Sequence, residues 1–171
     1  MTTLVTVCRR RWDDTDAVAL RAAMTAELRH RYADRPDDPI HLPTAQVLSP
    51  GSVAWTGVAY TADATPVGHA ALRWQGPDLE LKRMYVPPAH RRRGIAGSLL
   101  DAAREAAGQL GAVRIVLQTG DRQPDAIRRY EQAGYQPIPV FAPYDTLPYS
   151  RCLALTVRPT LTLPPKVTVP A

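Results

Sequence analysis

The sequence predicts an α/β domain built on a mixed sheet, and two features carry that reading. Strand-like runs over Ser52 to Thr61, Pro66 to Trp74 and Glu80 to Val86 follow one another across short turns, the pattern of antiparallel neighbours. The third run then leads through a helical period into a further apolar run, Val113 to Leu117. That is a β-α-β unit, and it makes the Glu80 and Val113 strands parallel.

Taken in order, Thr2 to Arg9 alternates with β-branched residues and reads as a first strand. Asp13, Asp14 or Thr15 can cap a helix from Asp16 to about Tyr32, with Val18, Leu20, Ala23, Met24 and Leu28 as its apolar stripe. Its basic end, Arg29 to Arg31, suits a helix C-terminus. Ala33 to Gly51 is rich in proline and aspartate and reads as loop. The turn at Ala62 to Thr65 makes a hairpin of the next two strands, and Gln75 to Asp78 turns into the Glu80 strand. Pro87 and Pro88 stop that strand because they cannot donate to a ladder.

A basic turn follows, Arg91-Arg92-Arg93, and then the small residues Gly94, Ala96 and Gly97. Ile95, Leu99, Ala103, Ala106 and Leu110 recur at helical spacing, so the turn opens a helix. The first amides of a helix lack intrahelical partners and carry the positive end of the macrodipole. Small residues let a ligand come close to the backbone, and guanidinium groups suit phosphate oxygens. Gly94 to Ser98, with the three arginines, is therefore a place to hold a polyphosphate.

After Val113 to Leu117, Gln118 to Asp121 reads as the strand's end. Pro124 opens a shorter helix to Gln132, with Ala126, Ile127 and Tyr130 along one side and Gly134 at C′. Gln136 to Phe141 and Ser150 to Val157 read as the last two strands, and Pro137 and Pro139 assign the first of them to an edge or a bulge. The domain is read as residues 1–157, with 158–171 as a proline-rich tail, flexible or lent as a strand to a neighbouring subunit.

The stretch Arg91-Arg92-Arg93-Gly94-Ile95-Ala96 resembles the acyl-CoA-binding motif of the GNAT superfamily of N-acetyltransferases: Gln or Arg, two residues, Gly, one residue, then Gly or Ala. A second resemblance runs through Gln123, Ala126, Tyr130, Gly134 and Tyr135, with Gln123 standing where the family commonly has Asn. Gly68 stands where the family often has a strand glycine, and the likeness extends from about Gly68 to Gly134. It implies a GNAT fold: a twisted mixed sheet of about seven strands, antiparallel in its N-terminal part, with the fourth and fifth parallel and splayed at the cofactor, flanked by about four helices. It implies acetyl-CoA as co-substrate and a small-molecule or peptide amine as acceptor. The amides of Arg92 to Ser98 would hold the pyrophosphate, Arg91 and Arg93 would add charge, and Gln123 and Ala126 would border the cofactor. Backbone groups of Met84, Tyr85 and Val86 would pair with the pantetheine arm and polarise the thioester carbonyl. Tyr130 would be the acid that protonates the CoA sulfur, since a phenol of pKa about 10 is protonated at neutral pH.

The resemblance also makes Glu80 the candidate base, direct or through water, since it precedes Gly94 by the same distance as the catalytic glutamate of the histone-type members; by alternation it shares a strand face with Lys82 and Met84, and the plainer alternative is a strand glutamate paired with Lys82, Arg73 or Arg83. Tyr32, Asp37, Asp38 and His41 would border the acceptor, and Tyr144, Asp145 and Tyr149 would form its far wall. The aspartates would suit a cationic amine. No cysteine lies in the motifs, so direct transfer in a ternary complex is expected. The alternative is a non-catalytic CoA-binding sensor of the same fold.

Composition narrows the partners. The 171 residues carry net charge +5, fitting an anionic ligand, but no nucleic-acid reader motif is present and no nucleic acid is expected. Neither GxxxxGK[ST] nor Rossmann GxGxxG spacing occurs. Cys8, Cys152 and four scattered histidines show no metal-ligand spacing, so no metal is expected. No apolar run approaches the roughly 18 residues of a membrane span, and no signal layout precedes the first strand. A cytoplasmic protein without membrane partners is the default expectation. The resemblance suggests a homodimer, and the residues leave the oligomeric state open.

Overall fold

The computed structural model describes residues 4–35, 48 and 50–160. Along the chain these form β1 (Thr6–Arg9), α1 (Thr15–Arg31), β2 (Val53–Tyr60), β3 (Pro66–Gln75), β4 (Asp78–Tyr85), α2 (Ile95–Gln109), β5 (Arg114–Gly120), α3 (Pro124–Gln132), β6 (Gln136–Ile138) and β7 (Ser150–Thr156). The seven strands form one sheet in the order β1-β2-β3-β4-β5-β7-β6. Every neighbouring pair is antiparallel except β4 and β5, the β-α-β pair that the sequence predicts. Strand β7 inserts between β5 and β6, which leaves Pro137 on an edge strand, where its missing donor costs nothing.

The helices lie on opposite faces because the strand residues alternate. Ala59, Leu72, Leu79, Leu81, Ile115 and Leu117 form the main core with Ile95, Leu99 and Ala103 of α2. Val58, next to Ala59, points the other way and packs on Ala17 and Leu20 of α1. Helix α1 begins where the Asp14 carboxylate accepts from the amides of Asp16 and Ala17, at 3.0 and 3.2 Å.

Three details differ from the sequence reading. The buried positions of α1 are Ala17 and Leu20, while Val18 is 46% exposed and Ala23 is exposed. The stripe is rotated because contact with β2 selects the face, and the helix itself has weak apolar contrast. Strand β5 continues through Gln118, Thr119 and Gly120, because Cys152, Arg151 and Ser150 of β7 supply their pairing. Strand β6 stops at Ile138, where Pro139 cannot donate.

Beyond β7, the Val157 amide donates to Val113 O at 2.8 Å and the Thr160 amide to Gly108 O at 3.0 Å. Residues 161–171, including Lys166 to Val169, lie outside the described residues. Among the described residues no helix is long and apolar enough to cross a membrane.

Gly68 of β3 sits beneath the first turns of α2. A Cβ there would come within 2.8 Å of Leu99 Cδ1, 3.2 Å of Ile95 Cγ2 and 3.3 Å of Tyr85 O. Gly68→Ala is expected to destabilise the fold by about 1–3 kcal/mol through overpacking. Urea unfolding with an unchanged m-value would register it; a variant as stable as the parent would show that α2 can move aside.

Candidate active site

Strands β4 and β5 are paired through Leu79 with Ile115 and Glu80 with Val116 only. Past those residues they separate, and Leu81 to Tyr85 and Gln118 to Gly120 line a cleft of about 1810 Å³ between them. Strand β4 also carries a bulge: His69 of β3 pairs with Tyr85 while Ala71 pairs with Lys82, so β4 has one residue too many, and Arg83 takes φ +56°. The bulge corrects the alternation argument. Met84 packs on the α2 side with Leu79 and Leu81, whereas Glu80 and Lys82 face the opposite side of the sheet.

One half of the cleft is the loop and helix that the arginine run predicts. Gly94 takes φ +85°, a left-handed turn residue, and caps α2 without any side-chain acceptor. The amides of Ile95 and Ala96 begin the helix with no intrahelical carbonyl available to them. Helix α3 faces this turn. A Cβ on Gly97 would lie 2.3 Å from an Arg129 guanidinium nitrogen, and Arg129 Nε is buried without a partner among the described residues. A guanidinium set against the positive end of a helix dipole is electrostatically unfavourable unless an anion lies between them. The residues therefore fit a phosphate-bearing ligand. Nine Arg and Lys side chains line the cleft against Glu27, Asp34 and Asp125, in the same sense.

The predicted cofactor residues divide. Met84, Tyr85, Val86, Arg91, Arg92, Gly94, Ile95, Ala96, Gly97, Gln123, Ala126 and Tyr130 all line the cleft. Arg93 does not, and Ser98 lines a separate groove beside Arg158. Arg91 is a tie as much as a charge: Nε donates to Val86 O at 2.9 Å and Nη2 to Glu27 at 2.6 Å, clamping the turn to α1. The sequence reading missed Arg129, although it sits three residues after Ala126 and so shares its helix face.

The other half holds a buried polar cluster. Glu80 is fully buried and does not line the cleft. Its Oε2 accepts from Arg73 Nε at 2.7 Å, and its Oε1 accepts from Tyr144 Oη at 2.5 Å and lies 3.4 Å from Lys82 Nζ. Lys82 Nζ donates to Tyr144 Oη at 2.6 Å. Burial pulls the Lys82 pKa down, against the attraction of Glu80, and burial beside Glu80 pushes that of Tyr144 up. Tyr130 is 8% exposed at the cleft wall, its ring 5.7 Å from that of Tyr135, and burial raises its pKa well above the ordinary phenol value. It is a protonated donor at neutral pH. Tyr32 is buried at the end of β5, its hydroxyl above Gly120, where a Cβ would meet it at 2.0 Å. Tyr149 lines the wall with Arg35 stacked on its ring at 3.9 Å. Asp145 does not line the cleft, and Asp37, Asp38 and His41 lie outside the described residues.

Residues 17–135 match the acetyltransferase (GNAT) family, and the chain belongs to that family. The chain is 38% identical over 77 residues to the acetyltransferase Atu2258 of Agrobacterium fabrum, a match covering 45% of this chain and 52% of that protein, so it spans about half of that relative's length. Among solved structures it is similar to a Klebsiella pneumoniae protein assigned as an acyl-CoA N-acyltransferase, with TM-score 0.73, 28% identity, and 90% and 98% of the two chains covered. It shares its fold with a GNAT family acetyltransferase of Elizabethkingia anophelis that has acetyl-CoA bound, with TM-score 0.64, 16% identity, and 90% and 98% covered.

The bulge that shapes the cleft is held by a buried histidine. His69 Nδ1 is 2.8 Å from Arg83 O and its Nε2 is 3.2 Å from Arg21 Nη1. Those partners assign a neutral ring that donates from Nδ1 and accepts at Nε2. Burial pulls its pKa from 6.5 to about 4, and the Arg21 charge acts in the same direction. The unfolded chain takes up this proton near pH 6.5 and the folded one near 4, so stability is full above about 6.5 and declines as pH falls toward 4. The decline is expected to reach about 3 kcal/mol at most. Urea unfolding between pH 4 and 8 measures it, and His69→Gln is expected to flatten the profile in that window.

Proposed function

We propose that the protein is an N-acetyltransferase that moves an acetyl group from acetyl-CoA to a primary amine directly within a ternary complex. The observation that carries the reading is the opposition of Arg129 to the uncapped first turn of α2, at the mouth of a cleft opened by diverging strands. The amides from Gly94 to Ala96 bind the pyrophosphate, while Arg92 and Arg129 balance its charge. The edge of β4 past Glu80 has no β5 partner, so backbone groups of Met84 and Val86 bind and orient the pantetheine arm. Bound acetyl-CoA supplies the acyl thioester.

Tyr130 keeps its phenolic proton at neutral pH and gives it, or shares it, at the departing sulfur. Both oxygens of Glu80 are engaged and the group lies beneath the cleft surface, so it does not touch the amine. Its route to the cleft is Tyr144, whose hydroxyl donates to Glu80 and lines the cavity. An acceptor ammonium loses its proton to the Tyr144 oxygen as the phenolic proton passes to Glu80. Neither cysteine lines the cleft, which supports transfer without an acyl-enzyme.

Calorimetry is expected to show saturable acetyl-CoA binding, and supply of a suitable amine is expected to release CoA thiol. Tyr130→Phe is expected to lower kcat by about 10²-fold with the affinity for acetyl-CoA retained. Absence of acetyl-CoA binding rejects the reading; full turnover by the Tyr130 variant removes only that residue from the acid role.

A further inference from the structure

The acceptor half of the cleft has an unbalanced charge. Arg73 and Lys82 share the single carboxylate of Glu80, with Nε at 2.7 Å and Nζ at 3.4 Å. Their side chains are 22% and 20% exposed, and both line the cleft, whereas Glu80 does not. With Lys82 protonated the cluster holds two cations and one carboxylate, and the burial that pulls the Lys82 pKa down opposes that state unless a counter-ion is supplied. The Lys82 ammonium has three protons. One is donated to Tyr144 Oη and one is directed at Glu80, and the third has no partner among the described residues.

Each described carboxylate that lines the cleft already has a cationic partner. Glu27 already binds Arg31 and Arg91, at 2.8 and 2.6 Å. Asp34 is bound to Arg122 and Asp125 to Arg128, while Asp121, outside the lining, is held by both Arg35 nitrogens at 3.0 and 3.1 Å. Among the described residues the walls thus offer no unpaired carboxylate, and the floor has more cations than carboxylates.

We infer that Lys82 and Arg73 form an anion subsite in the acceptor half of the cleft, and that the acceptor amine carries a carboxylate. The inference rests on the acetyltransferase reading above and names its substrate class. The one Lys82 proton left without a partner asks for one anionic oxygen, which a carboxylate supplies. Tyr144 fixes the Lys82 side chain through the 2.6 Å bond, so the ammonium is held in place before the ligand arrives.

The test measures equilibrium binding of N-acetyl-L-amino acids and of the matching N-acetyl-amino acid amides, beside turnover of L-amino acids, their amides and their decarboxylated amines. The acids are expected to bind wild-type protein at least about tenfold more tightly than the amides, the scale of one hydrogen bond to a charged group. Lys82→Gln is expected to abolish that preference and Lys82→Arg to restore much of it, with acetyl-CoA affinity the same in all three. The wild-type comparison stands even if a variant fails to fold. Equal or tighter binding of the amides, or no binding of any acid, with acetyl-CoA binding intact, overturns this inference and leaves the acetyltransferase reading standing. Loss of acetyl-CoA binding in the wild-type protein overturns both.

Discussion

Only two residue pairs join β4 to β5, and everything functional depends on the separation that begins beyond them. A parallel pair that stays paired offers no cavity and no free backbone. Here the core side chains Leu79, Leu81, Ile115 and Leu117 hold the strands at one end, under α2. The bulge at Arg83 turns β4 away at the other, and the buried ring of His69 holds the bulge carbonyl. Strand β5 is drawn in the opposite sense by its seven-residue pairing with β7. The cleft is thus a consequence of sheet pairing, and the loops only decorate it.

Charge is sorted along that cleft. At one end the macrodipole of α2 and the guanidinium of Arg129 add together, so an anion is needed to satisfy both. At the other end a buried carboxylate, two cations and a phenol form a network in which each member is held by another. Breaking such a network by removing one partner strands an uncompensated charge, on the order of 3–5 kcal/mol. The same network makes Glu80 a poor direct base and a good anchor. Tyr130 lies on the wall of the cleft with its proton held by burial, suited to donation and not to abstraction.

Several elements are legible in the sequence. Prolines 87 and 88 end a strand because they lack a donor, and the Gly94 turn opens α2 because only a small residue accepts φ +85° without strain. Periodicity located the helices, but it misplaced Val18 in α1, where sheet contact outweighs a weak stripe. Alternation placed Met84 with Glu80, and one extra residue in β4 reversed it. Arg129 is not legible in the sequence, because an arginine on a short helix reads as solvated until the turn it faces is known.

The sequence by itself determined which segments are strands and helices, that one strand pair is parallel, and that a helix N-terminus is exposed by small residues. These follow from local sterics and hydrogen-bonding capacity, which depend on near neighbours in the chain. The tertiary structure alone decided that β7 enters between β5 and β6, that Tyr144 reaches Glu80 across 64 positions, and that Arg73 and Lys82 divide one carboxylate. Those outcomes depend on which distant surfaces meet and which charges are left over when they do, and no local pattern encodes that sum.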